Sequence, residues 1–554
     1  MGAAVPLIAC SALAAGALVV RSDRARAWLL LASLVLAPVI LAIHVRDSDQ
    51  LATLRERPAL AAAALAGGFA LVVLLALLFR RIPTALAVAA LVTLPLRLPL
   101  AVAGASANLL LGLYLVVAAG VLAWAAPRLR APAVAGAGAG DGDGAGAGAG
   151  AGRRPGALEW ALAVVLVLYA AQSAYSDGHD RALENVVFFY VPFAALYVLL
   201  SRLEWTARLQ GIALGTLAGL AAALTAVGYV EYATRHILLN PKVIASNQVE
   251  EYFRVNSLFF DPNIFGRFLA IVLVLAMAWM LWRSRGRQVA LAAPGAAFVF
   301  GGLLLTLSQS SFAALLAGLA VLAALRWSVR RTLAAVALAL VVALAAIALG
   351  TDAFKGGKLA NRATSGRAAL VEGGLRLARE RPLTGWGSGA FAREYRRAEA
   401  VSVERASSAS HTIPITVLAE QGAGGLLAYL VLLGCALARL LRGARGAGPA
   451  RAAIAAAFVA LVVHTLLYAA FLEDPLAWAL LAVGTALASA GAGRDTAGFE
   501  DERDVAGGRV GSEDERGVAG SVDSVDSEDA RSTPAARREP APRAGEPATE
   551  SEGA

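Results

Sequence analysis

A chain of 554 residues in which 58% are hydrophobic and 16% are charged is not an ordinary soluble protein, since globular domains carry roughly 25% charged residues. Its mean hydropathy is +0.65. The formal charge of +9 does not imply nucleic-acid binding, because most of the surplus is arginine in short loops between apolar runs, where it reports topology. Cys10 and Cys435 lie far apart in apolar runs and the histidines show no paired spacing, so no disulfide framework, metal site or other cofactor is expected.

The apolar runs recur at 2–20, 27–44, 59–79, 82–104, 107–126, 158–175, 185–201, 208–230, 264–282, 289–307, 310–326, 332–350, 412–438, 452–470 and 474–491. Each is long enough for a hydrocarbon core of about 30 Å. The expected fold is an all-α, polytopic transmembrane bundle of about 14–15 spans with one large external loop. No ten-residue alternation of a barrel is present. The first run, Met1 to Val20, has no basic region ahead of it, so a cleaved signal peptide is not expected.

Loop charges set the orientation. Arg21, Arg24 and Arg26 follow the first span, Arg80 and Arg81 the third, and Arg128, Arg130, Arg153 and Arg154 the fifth. Arg202 and Arg208, then Arg283, Arg285 and Arg287, then Arg326, Arg330 and Arg331, then Arg439, Arg442, Arg445 and Arg451 continue the alternation. Arginine-rich loops stay cytoplasmic. The expectation is a multi-pass protein of the plasma membrane with its N-terminus outside and its C-terminal tail cytoplasmic. The loops at 231–263, 306–311, 351–411 and 471–474 then share the external face. The weakest span is 82–104, which holds Pro83, Pro95, Arg97 and Pro99 and reads as re-entrant or broken, with Arg97 at the outer rim.

The chain divides into N-terminal transmembrane helices (1–130), a Gly/Ala-rich cytoplasmic linker (131–156), a second set of spans (157–350), the external loop (351–411), C-terminal spans (412–493) and a polar tail (494–554). The linker reads as a flexible tether, and the tail has too few aromatic and aliphatic residues to fold.

Chemistry is sought on the external face. Arg254 lies in the polar approach to a span that begins at Asp261-Pro262-Asn263, where Asp261 suits a helix N-cap and Pro262 the first turn. Ser308-Gln309-Ser310-Ser311 is a tight polar turn, read either as a hairpin of small residues or as a substrate contact. Within the large loop, 366–381 has the pattern of an amphipathic helix, with Leu370, Gly374, Leu377 and Ala378 on one face. Arg376 has Glu372 and Glu380 at i±4, whereas Arg367 has no acid at that spacing and stands at the helix start, where an anion is the natural partner. Gly385, Gly387 and Gly389 around Trp386 let a backbone approach something closely. His411 is the one histidine of this loop and the natural base near neutral pH, or else an interfacial anchor. Glu420 lies deeper in the next span, where a carboxylate is functional or paired. Glu473-Asp474-Pro475 can add a carboxylate to the same rim, and His464 reads as structural.

Taken in order, Arg254…Phe260-Asp261-Pro262-Asn263, Ser308-Gln309-Ser310, Ser365-Gly366-Arg367, Arg381-Pro382-Leu383-Thr384-Gly385-Trp386-Gly387 and Ser410-His411…Glu420-Gln421-Gly422 resemble the O-antigen ligase and polymerase family of bacterial surface polysaccharide enzymes, over roughly 185–490. The resemblance implies a metal-independent membrane glycosyltransferase of the helical type. Its implied donor is a glycan on undecaprenyl diphosphate, and its acceptor a glycan or lipid hydroxyl on the external face. It further implies that Arg254 and Arg367 hold the diphosphate and His411 activates the acceptor. Asp261, Asn263, Ser308, Ser310 and Glu420 are further candidates for substrate contacts. Gln309 stands where many members have Arg, Thr412 where Asn is common, and the chain has about three spans more than the usual twelve, the extra ones ahead of the loop. The competing readings are a lipid-linked glycan flippase and a non-catalytic polysaccharide-assembly protein. A flippase would carry ionisable groups near the midplane and repeated halves, whereas here the charged residues mostly collect on the two rims and no internal repeat is seen.

Overall fold

Proline, serine and glycine set the helix ends of the apolar runs. In the computed structural model the described residues are 4–46, 56–102, 105–130, 154–238, 243–244, 247, 252–282, 286–348, 370–399, 412–468 and 470–490. In chain order the first helices are α1 (Ala4–Val19), α2 (Asp23–His44), α3 (Pro58–Arg81) and α4 (Pro83–Thr93). A hairpin of β1 (Leu98–Val102) and β2 (Ala105–Leu109) follows, then α5 (Leu111–Arg130), α6 (Ala157–Gln172) and α7 (His179–Ser201). Next come α8 (Ala207–Thr234), α9 (Pro262–Leu281), α10 (Gly286–Thr306), α11 (Gln309–Arg326) and α12 (Val329–Ala348). The loop helices are α13 (370–380) and α14 (Phe391–Glu399), and the last three are α15 (Ile413–Leu441), α16 (Pro449–Leu467) and α17 (Pro475–Ala490).

Ten helices among the described residues are long and apolar enough to cross a membrane, and α1, α4, α6 and α17 are shorter apolar helices. The polytopic helical bundle expected from the runs is what forms. Its outer faces carry Leu65 and Leu291, 76% and 73% exposed, as lipid-facing surfaces do. The expected span 82–104 is broken: α4 stops at Thr93, ahead of Pro95, and the chain turns into an antiparallel hairpin with Leu98 opposite Leu109. Pro95 disfavours helix at the residue before it and Pro99 has no N–H to give, so the helix cannot run on.

Local chemistry explains the other ends. Ser22, Thr206, Asp261 and Ser308 each accept a backbone N–H of the following turn, capping α2, α8, α9 and α11. Proline opens α3, α4, α9, α15 and α16, where its missing N–H costs nothing. The centre is dense with small residues: α16 buries Ala452, Ala453, Ala455, Ala456, Ala457 and Ala460, and packs along α11 and α9. Such faces let helix backbones approach closely where hydrophobic driving force between helices is weak. Most of α7 is buried, and it carries a π-helical turn at Val186–Tyr190. Met1–Arg494 form one compact unit. Most of the expected linker, 131–153, and the tail from 491 onward lie outside the described residues.

Candidate functional site

One end of the bundle gathers the polar chemistry. The C-terminal ends of α6, α8, α10 and α16 meet the N-terminal ends of α7, α9, α11, α15 and α17 there, joined by hydrogen bonds between distant segments. Arg254 sits in the loop ahead of α9 and is tightly held. Its Nε donates to the Thr306 carbonyl at 2.9 Å and its Nη2 to Asn263 Oδ1 at 3.2 Å. The Asn247 side chain clasps the Arg254 backbone from both sides, at 3.0 and 2.9 Å. Among the described residues Nη1 has no acceptor, so one edge of the guanidinium is fixed and the other is presented. Glu231, buried at the end of α8, supports the same loop by accepting the N–H groups of Ser257 (2.7 Å) and Asn256 (3.1 Å).

Asp261 and Asn263 open α9. Asp261 accepts the Asn263 N–H at 2.6 Å as the N-cap, and the Tyr468 hydroxyl is hydrogen-bonded to its carboxylate. Burial raises the Tyr468 phenol above its ordinary value, and the Asp261 charge adds to the shift. One turn and a half along α9, Arg267 is buried and pairs with Asp474 Oδ2 at 2.5 Å, while its Nη1 donates to the Ala470 carbonyl. Arg97, in the turn between α4 and β1, faces the same ion pair. Burial pulls its guanidinium below the ordinary value, with Asp474 opposing and Arg267 adding to the pull. Arg97, Arg267, Asp474, Tyr468 and Asp261 thus make a desolvated, mixed-charge cluster beside Arg254.

An apolar groove of about 310 Å³ runs between α4, α8, α9, α16 and α17, and none of these five side chains lines it. Leu94, Phe268 and Leu476, neighbours in sequence of Arg97, Arg267 and Asp474, line its upper end, and Trp205 and Leu487 its lower end.

The loop after α13 is held by a second set of contacts. Trp386 and Gly387 donate to the carbonyls of Ala419 and Glu420, and Ala423 donates back to the Pro382 carbonyl. The exchange needs a break in α15, which Gly422 supplies with φ 64, and a Cβ there would lie 2.3 Å from the Leu383 carbonyl oxygen. Gly385, at φ 66, makes the reciprocal approach, a Cβ there falling 2.3 Å from the Glu420 carbonyl oxygen. The segment between α6 and α7 clamps the far side: Tyr175 donates to the Thr384 carbonyl at 2.6 Å and Ser176 to that of Ser388 at 2.8 Å. Arg381 lies 3.9 Å over the Trp386 ring, whose indole N–H donates to the Leu377 carbonyl. Leu377, Phe391, Tyr395 and Ala419 form a small core under the loop.

The sequence-derived candidates fall into four groups. Arg254, Asp261 and Asn263 converge, with Arg254 and Asn263 bonded directly. Ser308 and Ser310 are fully buried: Ser308 caps α11 and Ser310 Oγ lies 3.1 Å from His464 Nε2, so their hydroxyls are engaged inside the bundle, while Gln309 is exposed. Glu420 is buried and both carboxylate oxygens are taken, by the N–H groups of Gly389 and Phe391 at 3.0 Å each. It anchors the loop. Arg367 and His411 lie outside the described residues; Thr412, the N-cap position of α15, belongs to the same end of the bundle. The expected helix 366–381 is described over 370–380, with Gly374, Leu377 and Ala378 buried as its pattern implies. The expected partners of Arg376 need correction: it pairs with Glu399 of α14, not with Glu372 or Glu380. The sequence reading passed over Arg267, although a lone arginine in the apolar run 264–282 signals a buried partner. Tyr468 and the Tyr175-Ser176 clamp carry no comparable signal.

Residues 294–430 match the family described as O-antigen ligase. The match bears out the resemblance drawn from the motifs, over a shorter stretch than they suggested. It takes in Ser308, Arg367, the Gly-Trp-Gly loop, His411 and Glu420, and leaves Arg254, Asp261 and Asn263 upstream of it. No curated protein is matched by the chain.

Proposed function

We propose that this multi-pass membrane protein of the O-antigen ligase family is a glycosyltransferase that moves a glycan from undecaprenyl diphosphate to an acceptor hydroxyl at the external face. The observation that supports the reading is the groove: an apolar channel whose lining residues Leu94, Phe268 and Leu476 stand close in sequence to Arg97, Arg267 and Asp474, in a fold where Asn263 of the same helix as Phe268 holds one edge of Arg254. A polyprenyl chain lies in the channel and its diphosphate beside Arg254.

The chemistry asks little more. The acceptor oxygen attacks the anomeric carbon while the bond from that carbon to the diphosphate oxygen breaks, inverting the centre. The electron pair leaves on undecaprenyl diphosphate and the acceptor proton passes to the His411 imidazole. Arg254 and Arg367 stabilise the charge that builds on the leaving group, which guanidinium forks do without a metal. Asp261 and Asn263 act through Arg254 and the start of α9. Glu420 acts at one remove, holding the Gly-Trp-Gly loop against α15. The alternation of arginine-rich loops supports a site on the external face, with the N-terminus external and the C-terminal tail cytoplasmic.

The test is reconstitution of the full chain with a carrier-linked glycan and an acceptor, reading released undecaprenyl diphosphate. Arg254→Ala lowers turnover by about 10²-fold or more, the cost of one preorganised donor to a developing oxyanion. His411→Ala abolishes transfer while donor binding persists. Full turnover in His411→Ala ends the assignment of a base, and glycan crossing the vesicle membrane without carrier release would make the chain a transporter.

A further inference from the structure

The opposite end of the bundle holds a second cavity, about 550 Å³, that the transfer reaction leaves unused. Its volume falls within the roughly 300–1,000 Å³ of small-molecule sites. Arg26, Arg128, Arg154 and Arg202 line it, from four separate places in the chain, together with Trp124 and Trp205. Arg439 adjoins it, its Nη2 donating to the lining residue Ser489 at 2.6 Å.

Arginine-rich loops alone explain orientation, not convergence on one roofed space. Among the described residues three acids stand at or beside the cavity. Asp23 is shared by three guanidiniums: it is bonded to Arg26 and lies 3.5 Å from Arg128 and 3.4 Å from Arg202. Glu159 has one oxygen on the Gly156 N–H and the other on the Tyr197 hydroxyl, both at 2.9 Å, and Glu204 is exposed. Arg26 is buried and bonded to the Ala17 and Val20 carbonyls, forming a charged floor. The Arg128 guanidinium lies 4.1 Å over the Trp124 ring and that of Arg202 at 5.8 Å, so both are held by an aromatic face rather than left to sweep through solvent. The cavity is also not isolated. Trp205 and Leu487 line both it and the apolar groove, so a charged pocket and a channel for hydrocarbon share a wall.

We infer that this cavity binds the phosphate of an anionic phospholipid, its acyl chains beside the wall formed by Trp205 and Leu487. Basic pockets between membrane helices on the cytoplasmic side suit such headgroups. The inference stands on the pocket alone and does not need the chain to transfer glycans. It gives the arginine-rich end a ligand of its own leaflet, distinct from the carrier at the site end.

The test uses the full chain purified in detergent, incubated with phosphatidylglycerol or phosphatidylcholine, with retained lipid counted by native mass spectrometry. Wild type should retain phosphatidylglycerol at least fivefold over phosphatidylcholine, and the double variant Arg128→Ala/Arg202→Ala should lose that preference. Arg154→Glu reverses one exposed charge of the lining without touching a packed residue, and should reduce retention with an unchanged unfolding midpoint even if the double variant is unstable. Inorganic phosphate added at millimolar concentration should neither displace the lipid nor stabilise the protein. Equal retention of the two lipids, a preference unchanged in Arg154→Glu, or displacement by inorganic phosphate would each overturn the proposal, the last making the ligand a soluble phosphate.

Discussion

The two ends of the bundle use the same side chains in opposite ways. At the site end Arg267 and Asp474 are 1% and 5% exposed in their side chains and meet at 2.5 Å. At the arginine end Asp23 is 30% exposed and is met by Arg128 and Arg202, 38% and 23% exposed, at 3.5 and 3.4 Å. A desolvated pair interacts strongly, and each member is costly without the other; a partly hydrated cluster is screened. The site end therefore holds a fixed, dry ion pair, and the other end a set of partly hydrated contacts around one acid.

The comparison breaks most visibly at Asp474. Asp474→Asn leaves Arg267 charged in a dry environment, and removing one partner of a buried pair costs about 3–5 kcal/mol. Thermal unfolding in detergent should show the loss, with glycan transfer falling alongside. Replacing both residues, Arg267→Met with Asp474→Leu, should recover most of the stability because no uncompensated charge remains, but not the transfer. A single variant as stable as wild type would mean that the pair is hydrated and that the two ends do not differ in kind.

A smaller effect is expected at the kink in α15. Gly422→Ala must hold an alanine at φ 64 and ψ −166, a region essentially confined to glycine, at about 1–3 kcal/mol, with its methyl against the Leu383 carbonyl. The added group pries the Gly-Trp-Gly loop from α15, so transfer should drop and limited proteolysis should find new cuts within 382–390. Two residues on, a Cβ at Gly424 meets nothing within 4 Å. Gly424→Ala should be neutral or slightly stabilising, since glycine costs about 0.5–1 kcal/mol in a helix interior. Equal sensitivity at the two positions would show that the fault lies in helix packing and not in the clasp.

What the sequence made legible follows from the range of the interactions involved. Runs of apolar residues gave the span positions because insertion depends on local composition, and Pro95 and Pro99 marked the one span that breaks. Capping by Asp261 was visible for the same reason. Glu420 was harder: as a carboxylate within a span it pointed to a ligand or a partner, and its partners are backbone amides 31 and 29 residues earlier in the chain. No side-chain pattern announces an amide as a partner. Arg376 shows the same blindness, since spacing within one helix offered Glu372 and Glu380 while the fold brought Glu399 from the next helix. Arg267 was announced as needing a partner by its apolar neighbours, but nothing local named Asp474.

The least damaging change sharpens the comparison from the other side. Asp23→Asn removes the single acid shared by Arg26, Arg128 and Arg202, which at a buried site would be ruinous. Here Arg26 keeps its two carbonyl acceptors, Ala17 and Val20, and Arg128 keeps its bond to the Trp124 carbonyl at 2.8 Å. Arg128 and Arg202 are also partly hydrated, and such pairs contribute about 0–1 kcal/mol. Asp23 further stands in the first turn of α2, where a negative charge near the helix N-terminus is favourable by about 0.3–1 kcal/mol. The expected cost is therefore about 1 kcal/mol, a small shift of the unfolding midpoint beside that of Asp474→Asn. The same change raises the net positive charge of the cavity, so retention of phosphatidylglycerol should rise as stability slightly falls. A large loss of stability without any gain in lipid retention would show that Asp23 is the natural counter-ion of this end, and that its arginines are already satisfied by the protein.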